Sequence, residues 1–196
     1  MNHFEVFGLP RKLGIDTAEL QRTFYELSRI LHPDFHQGAP PAEQTRALEA
    51  SARLNAAYRT LRDPVARVEY LVRLEEGRAT REGAAATREA PPELLAEMFE
   101  IQEALAEAKA GGLDADGRRR LAAERDRLLA RHREEELRLA GPLSAAWDAG
   151  DAAERPRLLA ACTQALATRA YLGTVVEDLT EALGESQEGH VTHRRH

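Results

Sequence analysis

Cysteine, aromatic residues and long apolar runs are scarce in this chain of 196 residues. Cys162 is the single cysteine, which excludes an internal disulfide and a cysteine-rich zinc module. No apolar run approaches the roughly 20 residues that span a bilayer, so the sequence predicts no transmembrane helix. The N-terminus has neither a basic segment nor an apolar one, so we expect no secretory signal and a soluble cytoplasmic protein.

The residue types that are abundant favour helices. Aromatic residues make up only 5% of the chain, so a core must be built mainly from Leu, Ala and Val. Ala, Leu, Arg and Glu are good helix formers, and they dominate the composition. The net charge is −6, and the acidic excess lies in the C-terminal part. An acidic chain argues against a nucleic-acid partner.

Helical periodicity organises the first 75 residues. Asp16 followed by Glu19 predicts a capped helix start, and Pro33 ends that helix. A second long helix is expected from about Pro41, and a third, shorter one from Asp63. Two long helices joined by a short loop bury their apolar stripes against each other when they run antiparallel. The stripe of the first long helix consists of Leu20, Phe24, Leu27 and Leu31.

The second half of the chain is also predicted to be helical. Residues 76–91 hold small and charged residues without apolar periodicity, and we interpret them as a linker. Helices are expected from Pro92 to Gly111, over 116–139 and over 155–183, with a break at Gly141-Pro142 and a short Trp147 segment between the last two. Short connections predict an antiparallel three-helix bundle over 92–184. The tail 185–196 has no core residues and is expected to be disordered.

The tripeptide His32-Pro33-Asp34 follows the first long helix. Alone it is weak evidence, because a given tripeptide arises by chance in about one chain in forty of this length. Its context is more specific, since FEVFGLP, LSRILHPDF, LNAAYRTLRDP and VARVEYLVRL occur in order. Together these segments resemble a J-domain, and in particular the HscB-type co-chaperones of iron–sulfur cluster assembly. The resemblance implies an all-α chain with a J-domain over 1–75 and a client-binding helical bundle over 92–184.

The resemblance also implies a partner for the loop. J-domains dock on a DnaK/HscA-class chaperone and stimulate its ATPase, and the family's loop histidine, proline and aspartate correspond to His32, Pro33 and Asp34. Basic residues on the preceding helix, here Arg22 and Arg29, are expected to steer docking to an acidic surface. A solvated helix face paired with nearby glutamates is the alternative for these arginines. Many J-domains have tyrosine and lysine where this chain has Leu31 and Phe35.

The helix from Pro92 carries more apolar surface than one stripe needs. The segment LAEMFEIQEAL resembles the family's client-binding helix, which contacts the scaffold protein IscU. The alternative is that the three-helix bundle buries this second stripe. Ala96 stands where the family often has a larger apolar residue. The client-facing positions that the resemblance implies are Leu95, Phe99, Glu100, Glu103 and, on the last helix, Tyr171.

The favoured function is therefore an adaptor that is not an enzyme. We expect no catalytic residue, no metal ligand and no cofactor, and partners that are neither nucleic acid nor membrane. The first alternative is a J-domain co-chaperone of another pathway with an unrelated client module. A metal-dependent enzyme using His32 and His36 is a more distant one.

Overall fold

The computed structural model describes residues 1–36, 38–77, 92–111 and 114–184. All regular secondary structure in these ranges is helical, which confirms the predicted all-α class. The predicted linker and tail lie largely outside them. The helices are α1 (His3–Val6), α2 (Thr17–Ile30), α3 (Pro41–Arg62), α4 (Pro64–Glu75), α5 (Pro92–Gly111), α6 (Ala115–Arg138), α7 (Ser144–Ala149) and α8 (Arg155–Ala182). A 3₁₀ turn spans Pro33–His36 and a π-helical turn spans Leu139–Leu143.

The chain forms two compact units. One consists of Met1–Gly83 together with Arg138–Thr163, and the other of Ala84–Leu137 together with Gln164–His196. The first unit therefore includes a segment that the sequence analysis grouped with the C-terminal bundle. The predicted boundaries at residues 75 and 92 stay a prediction.

Helix α2 is set by its cap and by its packing on α3. The Asp16 side chain accepts hydrogen bonds from the backbone N–H groups of Ala18 and Glu19 at 2.8 and 3.1 Å, as the sequence pattern predicted. Further along, the ring of Phe24 stacks on that of Tyr58 in α3, with centroids 4.1 Å apart. Because both rings lie between the two helices, this contact fixes the face that α2 turns to solvent.

The segment 138–163 contributes to the core of the first unit. The turn Leu139–Leu143 lies next to α4, and Leu139 and Trp147 are buried. The predicted break at Gly141-Pro142 was wrong, because the backbone stays helical by widening into a π turn. A wider turn accommodates a proline ring, and the Ser144 hydroxyl donates to the carbonyl oxygen of Leu139 at 2.6 Å.

A buried arginine and an aspartate hold the loop that precedes α2. Arg67 is only 4% exposed, and its side chain donates hydrogen bonds to the carbonyl oxygens of Leu61 and Leu13. Burial lowers its pKa, while Asp63 and Asp148 act in the opposite direction. The Asp148 carboxylate accepts from the backbone N–H groups of Leu13 and Gly14 at 2.7 and 2.6 Å.

The second unit has its own apolar core, built from α5, α6 and the part of α8 from Gln164 onward. Glu97 of α5 forms ion pairs with Arg127 and Arg131 of α6. Burial alone would raise the pKa of Glu97, but the hydrogen bonds from these two arginines lower it. The core residues are Leu94, Ile101, Leu105, Leu121, Leu128, Leu172, Val175, Leu179 and Leu183.

Candidate partner-binding surfaces

The His-Pro-Asp loop continues directly from the end of α2. The backbone N–H of Leu31 donates to the carbonyl of Leu27 at 3.0 Å, and that of Phe35 donates to the carbonyl of His32 at 3.0 Å. These bonds keep the chain tightly turned from the helix into the 3₁₀ turn. The Asp34 side chain is 70% exposed, and its carboxylate lies 3.5 Å from His32 Nδ1. The loop therefore offers a carboxylate at the surface.

Beside the loop lies a groove of about 420 Å³ on the solvent face of α2. Arg22 and Arg29, both predicted to contact a chaperone, are exposed and line it together with His32. The structure thus brings three of the five predicted chaperone-binding residues to one depression, with Asp34 adjacent; the side chain of Pro33 lies outside the described part. We call this the aromatic groove, lined by Arg22, Tyr25, Glu26, Ser28, Arg29, His32 and Phe35.

A second exposed surface lies on α5 in the other unit. Phe99 is 76% exposed, and Glu100 and Glu103 are exposed beside it. Phe99 and Glu103 are four residues apart and so share one side of the helix. The core residues of α5 lie elsewhere on its circumference, so the bundle does not bury Phe99. The side chain of Leu95 lies outside the described part of the chain.

Tyr171 lies apart from this exposed side. Its ring is half-buried against the core of the second unit and lines a narrow crevice with Glu97 and Ile101. The buried hydroxyl has no hydrogen-bond partner in the described part of the chain. Burial raises the pKa of Tyr171, and the charges of Glu97 and Asp178 raise it further. The structure therefore groups Tyr171 with core-facing residues. Its role in client binding stays a prediction.

The described ranges hold neither a membrane span nor a metal cluster. No helix there is long and apolar enough to cross a membrane. No group of three His, Cys, Asp or Glu side chains there is arranged to hold a metal ion. The side chain of His36 is among those that are not described. Cys162 is buried, and burial raises the pKa of its thiol.

Comparison with known proteins shows which proteins have a similar loop and flanking helices. Residues 2–70 match the DnaJ domain. A co-chaperone protein HscB homolog of Ralstonia nicotianae is 40% identical over 114 residues, which are 58% of this chain and 63% of that protein. One from Azoarcus is 36% identical over 112 residues, 57% of this chain and 61% of that protein. Residues 2–70 are thus a DnaJ-domain match, and the curated relatives that the chain resembles are HscB co-chaperones.

Solved structures extend the likeness of this chain beyond residues 2–70. The chaperone HscB from Vibrio cholerae superposes with a TM-score of 0.61 at 25% identity, covering 94% of this chain and 99% of that one. Human co-chaperone protein HscB gives a TM-score of 0.60 at 24% identity, covering 92% and 81%. The matched segments span about three-fifths of the two curated relatives named above. The fold is thus shared over nearly the whole chain, and the sequence over a shorter part.

Two residues of the groove beside the His-Pro-Asp loop were not predicted from the sequence as site residues. Tyr25 was not singled out, and Phe35 was noted only as a departure from the usual lysine. The sequence signal that predicts such a site residue is an aromatic side chain outside the apolar stripe of α2. Such a residue has no core to enter.

Proposed function

We propose that the chain is a co-chaperone that stimulates the ATPase of a DnaK/HscA-class chaperone and delivers an IscU-type scaffold protein during iron–sulfur cluster assembly. The observation that carries this proposal is the exposed Asp34 at the exit of α2, beside Arg22 and Arg29 and within the DnaJ match. A protein with this role acts on its partner's nucleotide site and needs no catalytic residue of its own.

The chemistry of the loop suits a contact with a cationic side chain. A carboxylate held at a helix exit loses little conformational entropy on binding, and it accepts charge-assisted hydrogen bonds from an arginine. Pro33 restricts the backbone beside it. Arg22 and Arg29 present positive charge next to the loop, which favours approach to an acidic surface and raises the association rate.

The second surface supports the delivery step. Phe99 is an exposed apolar side chain with carboxylates at Glu100 and Glu103, which is the composition of a small protein-binding site with a polar rim. The relatives and solved structures that resemble this chain are named as HscB co-chaperones. We place the IscU-type scaffold on this surface, and we expect the protein to work in the cytoplasm.

A single-turnover ATPase assay tests the chaperone part. The chaperone is a purified DnaK/HscA-class protein loaded with ATP, and the variant is Asp34→Asn, which keeps the shape and removes the charge. Loss of a charged hydrogen bond costs about 1.5–3 kcal/mol, so we expect stimulation to fall by roughly tenfold or more. Equal stimulation by wild type and Asp34→Asn, or none by wild type, would contradict the proposal.

The alternative is a J-domain co-chaperone of another pathway, whose bundle binds a different client. Both functions predict ATPase stimulation, so that assay does not separate them. Calorimetry with a purified IscU-type scaffold does separate them, because only the proposed function predicts binding. A chain that stimulates the ATPase but does not bind the scaffold would support the alternative.

A further inference from the structure

The aromatic groove presents two rings to solvent beside the His-Pro-Asp loop. Tyr25 is 58% and Phe35 is 75% exposed. Within the chain, the ring of Phe35 packs edge-on with the ring of His32, and the two centroids lie 6.3 Å apart. The Tyr25 hydroxyl lies 3.4 Å from the side-chain amide of Gln21. Both rings thus keep most of their apolar surface in water.

Exposed aromatic rings in a depression indicate a binding contact. Burying a large apolar side chain stabilises a folded protein, and these two exposed rings gain little of that stabilisation on folding. Aromatic residues that are exposed in the free protein and surrounded by polar groups are the residue type that anchors protein interfaces. The charged residues that line the groove have a net positive sign, since Arg22 and Arg29 outnumber Glu26.

We propose that the aromatic groove receives an apolar side chain flanked by carboxylates on the surface of the DnaK/HscA-class chaperone. This inference rests on the proposed function and specifies what the partner must present. The apolar side chain packs between Tyr25 and Phe35, and the carboxylates face Arg22 and Arg29. Because Phe35 directly follows Asp34 in the chain, the apolar contact and the carboxylate contact form in the same docking event.

The test separates affinity from maximal stimulation. The full-length chain is titrated into the ATP-loaded chaperone, and the hydrolysis rate is followed for Phe35→Ala, Phe35→Leu and Tyr25→Ala. We expect Phe35→Ala to raise the half-saturating concentration on the order of tenfold, with the leucine variant between it and wild type. The rate at saturation should stay unchanged, because Asp34 is intact. Leu137→Ala, which removes a comparably exposed apolar side chain from α6, should change neither quantity.

Salt dependence provides the second readout. Arg29→Gln should reduce the salt dependence of the half-saturating concentration, whereas Phe35→Ala should leave it unchanged. A Phe35→Ala half-saturating concentration within twofold of wild type would overturn the inference. So would a fall in the saturated rate alone, since that would make Phe35 a support for the loop rather than a contact.

Two further outcomes also decide the question. If Phe35→Ala abolishes a concentration-dependent dimer of this chain and leaves chaperone binding intact, the groove binds a second copy and the inference is wrong. If wild type stimulates and Asp34→Asn does not, while the groove variants behave as wild type, the proposed function stands and the groove inference alone fails. No stimulation by wild type would remove both.

Discussion

Asp148 and Gly14 form a close contact that depends on the identity of both residues. A side-chain carbon added at Gly14 would lie 2.9 Å from Asp148 Oδ2, which is nearer than such atoms normally approach. Glycine therefore lets the carboxylate reach the backbone N–H groups of Leu13 and Gly14. Arg67 of α4 donates to the carbonyl oxygen of Leu13. Side chains from α4 and α7 therefore provide hydrogen-bond partners for these backbone groups of the loop.

We predict that Asp148→Ala lowers the free energy of unfolding by about 1–3 kcal/mol, because two backbone donors lose a charged acceptor. Urea unfolding followed by circular dichroism measures the change. The matched control is Asp126→Ala, which removes an exposed carboxylate paired with Arg125 at 2.9 Å and should cost less than about 0.5 kcal/mol. A loss for Asp148→Ala no larger than that of the control would show that the contact adds little stability.

At the scale of elements, α2 begins at a capping residue and ends at the turn that leads into the His-Pro-Asp loop. Asp16 starts the helix by accepting two backbone N–H groups, and the turn after Leu31 presents Asp34. The hydrogen bond from the backbone N–H of Glu19, and next that from Ala18, lower the pKa of the Asp16 carboxyl, and Arg22 adds a smaller effect in the same direction. A lowered pKa in the folded state means that the charged cap stabilises the helix above the pKa of the unfolded chain.

We therefore predict that wild type loses stability relative to Asp16→Asn as the pH falls below about 4. Asparagine also caps helices but does not titrate, so the other carboxylates cancel in the comparison. The measurement is the difference in urea midpoint between the two proteins at pH values from neutral to acid. A difference that stays constant over this range would mean that the charge of Asp16 contributes nothing.

The sequence was sufficient for elements whose signals are local. The Asp16 cap, the Asp63-Pro64 start of α4 and the apolar stripes of α5 and α8 all act within a few residues, and the corresponding helices lie close to where they were predicted. The loop residues of the candidate site could be predicted for the same reason, since the short motif and its flanking helices are contiguous in the sequence.

Contacts between distant residues could not be predicted in this way. Asp148 meets Leu13 across 135 positions, and no periodicity connects them. For that reason the predicted bundle over 92–184 includes 138–163, which lie in the first unit. The exposure of Tyr25 depends on which side of α2 the Phe24–Tyr58 stack occupies, and this is a property of the packed pair rather than of either helix.

For the whole molecule, the main feature is that the two candidate surfaces belong to different units. The His-Pro-Asp loop and the aromatic groove lie in the first, and Phe99 lies in the second. In the proposed function, two sites on one chain raise the effective concentration of a client near the chaperone without any new contact. They also allow each binding activity to be removed without the other.

We predict that Phe99→Ala weakens binding of an IscU-type scaffold by about tenfold, because an anchoring aromatic is lost. ATPase stimulation by the chain without client should be unchanged, since the variant leaves the first unit intact. Calorimetry and the single-turnover assay give the two readouts, with Leu137→Ala as the control in the same unit. Scaffold affinity equal to wild type would remove Phe99 from the client surface, and a parallel loss of stimulation would show that the two sites are not independent.

The bond between Asp148 and the loop at Leu13 and Gly14 also sets an order of events during synthesis. The two segments of the first unit are separated by a long stretch of sequence that belongs to the second unit. The N-terminal helices of the first unit therefore leave the ribosome well before residues 138–163 do. Until then the loop lacks its acceptor, and α4 lacks the turn Leu139–Leu143 that lies next to it. A nascent chain halted before residue 138 would carry the complete His-Pro-Asp motif on an unfinished support.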